Sequence, residues 1–185
     1  MLIAETPRLI LRHFHPTDAS ALTALFADPA VMRFGDGPQS PDWTQSWLST
    51  CITQHYPQWG FGPYAVTLKQ TSTLIGYCGL TRFPGRCPAN EAELGFRLAQ
   101  PYWRRGFATE SAQAVCTHAF YTLHLPRLIA HIDPANTPSI RVIKKLGFHY
   151  EREAMLSGYD HPDHLFSLYL QNQVDTKHIQ NLLDK

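Results

Sequence analysis

Four cysteines, Cys51, Cys78, Cys87 and Cys116, lie far apart and none forms a C-x-x-C pair, so the short-spaced zinc and redox motifs are missing. They read as reduced thiols of a cytoplasmic protein, since a disulfide framework suits smaller secreted chains. Long apolar runs are also missing: no charge-free stretch approaches the roughly 18 residues of a spanning helix. The apolar opening Met1–Ala4 meets a charge at Glu5, too early for a secretory leader. No charge predominates, because 16 basic and 15 acidic residues give +1. That balance excludes a chain built to coat nucleic acid or an anionic membrane, while a local basic patch can still hold phosphate. Low-complexity disorder is excluded by aromatics at 12%, spread along the chain. What is present is 185 residues, 44% of them hydrophobic, enough for one core of ordinary size.

Arg8–Phe14 alternates apolar and polar side chains and predicts a strand. Thr17 or Asp18 then caps a helix carrying Ala21, Leu22, Leu25 and Phe26, which Asp28-Pro29 ends. A second helix is expected over 42–55, with Trp43, Trp47, Leu48 and Cys51 on one side and Pro57, Gly60 and Gly62 to end it. Strands are predicted at 64–68, 74–83 and 91–98. The clearest helix covers 108–123, where Ala108, Ala112, Val115, Ala119 and Leu123 recur every three or four positions. A buried strand at 128–132 leads to a helix opened by Thr137-Pro138 and closed by Gly147. Strands at 148–156 and 164–170 follow. The sum is an α/β (α+β) fold with seven strands and flanking helices. With no repeat or linker, residues 1–185 read as a single domain ending in a polar tail at 171–185.

One stretch carries chemistry. Glu93-Leu-Gly-Phe-Arg-Leu98 runs as a strand into a loop, Trp103-Arg104-Arg105-Gly106-Phe107-Ala108-Thr109-Glu110, from which the long helix starts at once. Unpaired N–H groups at a helix start converge on one point with the helix dipole behind them, so this is an anion site. Gly106 and the small Ala108 let a phosphate approach the backbone, and Arg104 and Arg105 add charge. Taken alone the loop also suits a surface connection with solvated arginines, for it is neither a P-loop nor a G-x-G-x-x-G. A second stretch, Asp133-Pro-Ala-Asn136-Thr-Pro-Ser139, continues to Lys145-Leu-Gly-Phe148 and sets polar Asn136 and Ser139 between a buried strand and a helix.

Together the two stretches resemble the GNAT superfamily of acetyl-coenzyme A-dependent N-acetyltransferases, most of all the branch containing the ribosomal-protein N-terminal (alanine/serine) acetyltransferases. Thr6-Pro-Arg-Leu-Ile-Leu-Arg12 is similar to that branch as well, and the likeness spans about residues 5–170. The resemblance implies a mainly antiparallel sheet splayed between its fourth and fifth strands, here 91–98 and 128–132. It also implies acetyl-coenzyme A as cosubstrate. Backbone groups at Phe96 and Leu98 would pair with the pantetheine arm, and amides of Arg104, Arg105, Gly106, Phe107, Ala108 and Thr109 would hold the pyrophosphate. Asn136 would contact pantetheine or a water, and Ser139 would lie near the sulfur.

Two positions depart from the family pattern. Seven residues after the asparagine, where many members carry a tyrosine acid, stands Ile143; in this branch the serine three residues after it, Ser139, can protonate the leaving thiolate. Near Glu153-Ala-Met-Leu, where some relatives place a basic glutamate, the ungapped match falls on Met155. Glu93 can accept an amine proton, or be a salt-bridged strand residue; Glu110 suits the helix dipole and reads as structural. Asp160-His-Pro-Asp-His164 invites a metal, but Pro162 prevents a helix that would align both rings, so it reads as a loop near the acceptor mouth with no metal bound. His13 and His15 read as surface groups on an edge strand. Trp43, Trp47, Tyr56, Trp59, Phe61 and Tyr64 read as core or as lining of an acceptor cleft walled by the first two helices.

The expected activity is transfer of acetyl from acetyl-coenzyme A to a primary amine by direct attack, with Ser139 and Glu93 catalytic. A terminal α-amine, with a pKa of about 7.7–8.0 against about 10.4 for lysine, needs less help to become neutral, which favours a peptide N-terminus or another low-pKa amine. A small-molecule amine is the alternative acceptor. A non-catalytic acyl-coenzyme A-binding or sensing module is the competing class. No membrane or nucleic-acid partner is expected, and a monomer or homodimer is.

Overall fold

The computed structural model describes residues 1–83, 88 and 90–170; Cys87 and the tail at 171–185 lie outside the described residues. Two short strands, β1 (Leu2–Glu5) and β2 (Leu9–Arg12), pair antiparallel around the Thr6-Pro7 turn. Helix α1 (Ala19–Ala27) and helix α2 (Pro41–Thr50) follow. The second continues through a π-wound turn, Cys51–His55, into α3 (Tyr56–Trp59). Next come β3 (Pro63–Leu68), β4 (Leu74–Thr81) and β5 (Glu91–Leu98). The long helix α4 (Phe107–Tyr121), β6 (Arg127–Ile132), α5 (Thr137–Lys145), β7 (His149–Ala154) and β8 (Asp163–Tyr169) complete the order.

The strands form one sheet ordered β1-β2-β3-β4-β5-β6-β8-β7. Among the described residues it has eight strands rather than seven. The extra strand is β1, whose four residues are too few to show periodicity and become a strand by pairing with β2, Leu2 opposite Arg12 and Glu5 opposite Ile10. The splayed pair is therefore the fifth and sixth strands. Every pairing is antiparallel except β5 with β6, which holds only from Glu91–Arg127 to Glu93–Ile129. Beyond Glu93 the two strands part, and a wedge opens between them.

Alternation on β5 sorts its side chains between the two faces. Ala92, Leu94 and Leu98 enter the main core with Ala112, Val115, Cys116 and Ile143 of α4 and α5. On the opposite face, α1 and α2 pack Leu22, Phe26, Leu48 and Trp47 against Ala65 and Tyr77. Glu93, Gly95 and Arg97 belong to this second face.

Three local expectations change. Pro57 does not end the second helix: Tyr56 N–H reaches back five residues to Cys51 O, and this wider turn carries the chain past the proline to Gly60, whose φ of +74 stops it. Helix α5 is capped by Asn136, not Thr137. His13 is not a surface group, since β2 is an inner strand and the ring stacks on Tyr56 at 3.7 Å between centroids; His15 is exposed.

Candidate active site

The loop that leads into α4 is held by the chain's opening residues. Arg104 (φ +58) and Gly106 (φ +82) take left-handed conformations and turn the chain sharply into α4. No side chain caps that helix, and its first completed bond is Glu110 N–H to Gly106 O at 3.0 Å. The N–H groups of Phe107, Ala108 and Thr109 are thus left without intrahelical acceptors. Glu110 is structural: it accepts from Thr6 Oγ1 (2.6 Å), Arg8 N (3.0 Å) and Arg8 Nε (2.6 Å). Arg8 also donates to Arg105 O at 2.9 Å and lies over Phe107. A Cβ at Gly106 would stand 3.2 Å from Arg8 Nη2, so the glycine leaves a cradle that a side chain would fill. Arg104 and Arg105 are exposed beside it.

The β5 edge supplies the second part. Ala99 N–H donates to Ile75 O at 2.8 Å, so odd-numbered residues of β5 exchange bonds with β4, and the backbone groups of Phe96 and Leu98 point into the wedge. The Leu98 carbonyl is already taken by Trp103 Nε1 at 2.5 Å. Across the wedge, Asn136 Oδ1 accepts from Ser139 N at 3.3 Å. The cap consumes the Ser139 amide and leaves its half-exposed hydroxyl without a hydrogen-bonding partner among the described residues. Ile143 is fully buried in the core, so that position offers nothing to the wedge. Met155 is 65% exposed past the end of β7.

On the second face, Glu93 Oε2 approaches His131 Nδ1 to 3.2 Å. Both atoms are buried and neither makes an aligned hydrogen bond. Asp163 is buried beside them, and burial raises its carboxyl above the usual range, as do the charges of Asp133 and Glu93, against the pull of His131 and His161. His161 bridges Asp160 (2.7 Å) and Asp133 (3.2 Å). No group of three or more His, Cys, Asp or Glu side chains is arranged to hold a metal among the described residues. Sequence reasoning missed His131 and named Asp163 only within Asp160–His164. The parallel register of β5 with β6 brings His131 to Glu93, and the pairing of β6 with β8 sets Asp163 nearby.

Such a wedge, with an open helix start and free strand edge on one side and an acid–imidazole group on the other, is the architecture of a cofactor-dependent acyl transferase. The pattern of the Acetyltransferase (GNAT) domain matches residues 8–149, and the chain belongs to that family. It is similar to N-acetyltransferase p20 of Bacillus licheniformis, itself uncharacterized, at 30% identity over 161 residues, 84% of this chain and 85% of that one. The crystal structure of a GNAT-family acetyltransferase from Bacillus anthracis superposes with a TM-score of 0.77 at 26% identity, covering 91% of this chain and 98% of that chain. The ribosomal L7/L12 α-N-protein acetyltransferase RimL, in complex with coenzyme A, shares the fold with a TM-score of 0.79 at 19% identity, covering 93% and 99%. The protein is an acetyltransferase.

Proposed function

We propose that the chain is an acetyl-coenzyme A-dependent N-acetyltransferase that passes acetyl directly to a primary amine, the α-amine of a peptide N-terminus or the amine of a small molecule, in the cytoplasm. The observation that carries this reading is the wedge, which offers phosphate and pantetheine partners on one side and a proton acceptor on the other. The N–H groups of Phe107, Ala108 and Thr109, with Arg104 and Arg105, hold the pyrophosphate; the edges of Phe96 and Leu98 hold the pantetheine arm, which Asn136 borders. The bound thioester supplies the activated acetyl carbonyl. A β5 N–H near Leu98 polarises that carbonyl oxygen.

Glu93 takes the amine proton as the C–N bond forms, and the Ser139 hydroxyl donates a hydrogen bond to the sulfur as the C–S bond breaks, so coenzyme A leaves as a stabilised thiolate that takes up a proton from solvent. A cysteine relay has no candidate among the described residues: Cys51, Cys78 and Cys116 are completely buried, and burial pushes Cys51 and Cys78 up to about 12 and Cys116 up as well. The burial of these three thiols supports direct attack. Steady-state assays with acetyl-coenzyme A and a panel of amines test the reading. Tight coenzyme A binding with no turnover of any amine would overturn it in favour of a binding or sensing module.

A further inference from the structure

On the second face of β5, Glu93, Gly95 and Arg97 follow one another with no bulge in the register against β4. The three positions span about 13 Å of strand at about 3.3 Å per residue. At one end stands the Glu93–His131–Asp163 group. In the middle, a Cβ built on Gly95 meets nothing within 4 Å among the described residues, so they leave the floor between the two charged side chains open. At the other end Arg97 is half-buried against the segment joining α1 to α2, where a Cβ on Gly35 would overlap its guanidinium. Gln100, just past β5, holds Asp28 Oδ1 and Oδ2 at 2.9 and 2.7 Å and ties that segment down.

Arg97 differs from the other ordered arginines nearby. Arg12 grips Asp18 with two nitrogens at 2.8 Å, and Arg127 is shared between Glu91 and Glu151. Among the described residues Arg97 has no carboxylate, only the Tyr77 hydroxyl at 3.4 Å from Nη1. A planar, partly desolvated guanidinium with only one long hydrogen bond on its donor fork is suited to a bidentate anion. We infer that Arg97 selects the acceptor: an amine that carries an anionic group, carboxylate or side-chain acid, several bonds from the reacting nitrogen. Its amine end lies toward Glu93, its chain crosses Gly95 and its anion meets Arg97. This rests on the acetyl-transfer reading of the site and names the substrate class for it.

Two matched pairs separate the sources of the anion: 4-aminobutyrate against 4-aminobutyramide, and alanyl-aspartate amide against alanyl-asparagine amide. The anionic member of one pair is expected to have a kcat/KM about 10- to 100-fold higher, as for a charge-assisted hydrogen-bonded pair. Arg97→Met should erase that ratio chiefly through KM, while Arg97→Lys keeps part of it and controls for folding. Equal use of both members by the unaltered protein, or a ratio that survives Arg97→Met, overturns the inference. If no amine is turned over, the transfer reading fails; calorimetric titration of the same four compounds into the coenzyme A-loaded protein then still decides Arg97, which requires the anionic members to bind more tightly and Arg97→Met to remove the difference.

Discussion

Glu93 Oε2 and His131 Nδ1 face each other at 3.2 Å, one from each of the two strands that flank the wedge. Their side chains are only 13% and 4% exposed, so the carboxylate is close to its partner and largely shielded from water. That is the setting in which a carboxylate can accept a proton without competing with bulk solvent.

Glu93→Gln keeps the shape and removes the acceptor. At pH 7 turnover should fall by about 10²-fold or more, at the low end of general-base effects. The deficit should narrow as pH rises past about 8, where an α-amine becomes neutral unaided. A pH–rate profile of variant and parent measures this; parallel profiles without narrowing would remove Glu93 as the base.

Ser139→Ala tests the hydrogen bond to sulfur. Because Asn136, not Ser139, supplies the capping oxygen of α5, loss of the hydroxyl should leave the melting temperature nearly unchanged. Coenzyme A affinity should also hold, while turnover drops about 10- to 100-fold, as for one hydrogen bond to a charged group. Full specific activity would take Ser139 out of the chemistry. Asn136→Ala, by contrast, should cost about 1 kcal/mol of stability.

Gly106→Val combines two effects. A β-branched side chain in a left-handed conformation (φ +82) strains the backbone by at least about 1–2 kcal/mol, and its Cβ fills the cradle beside Arg8. Calorimetry should show weakened coenzyme A binding together with a lowered melting temperature. Unchanged affinity in the folded variant would move the pyrophosphate elsewhere.

Burial holds His13, His55 and His118 below the ordinary histidine value of 6.5. Below 6.5 the unfolded chain takes up protons that the folded chain resists, so the stability these rings permit is full above that value and is lost as pH falls. His161, raised by Asp160 and then Asp133, acts in the opposite sense at the exposed surface. Urea unfolding at pH 7.5 and 5.5 should show a decrease that His118→Phe reduces, since His118 Nε2 is buried with no hydrogen-bonding partner among the described residues. An identical decrease in the variant would assign the effect to other groups.

The order of elements from β2 onward, the long helix after β5 and the two stretches that meet at the wedge were legible along the chain. Those features are local: Ala112, Val115 and Ala119 mark the helix through their spacing, and Gly106 marks the loop through a conformation that side chains resist. The same local reasoning could not find β1, whose four residues become a strand only by pairing with β2. It could not place His13, which stacks on Tyr56 from 43 positions away, nor bring His131 and Asp163 to Glu93. That grouping depends on the parallel register of β5 with β6 and on the pairing of β6 with β8, and a shift of one residue between β5 and β6 would send His131 to the opposite face. That Glu93 faces an imidazole and that Arg97 has no carboxylate among the described residues depends on which distant side chains the sheet brings within about 4 Å, the reach of a direct contact.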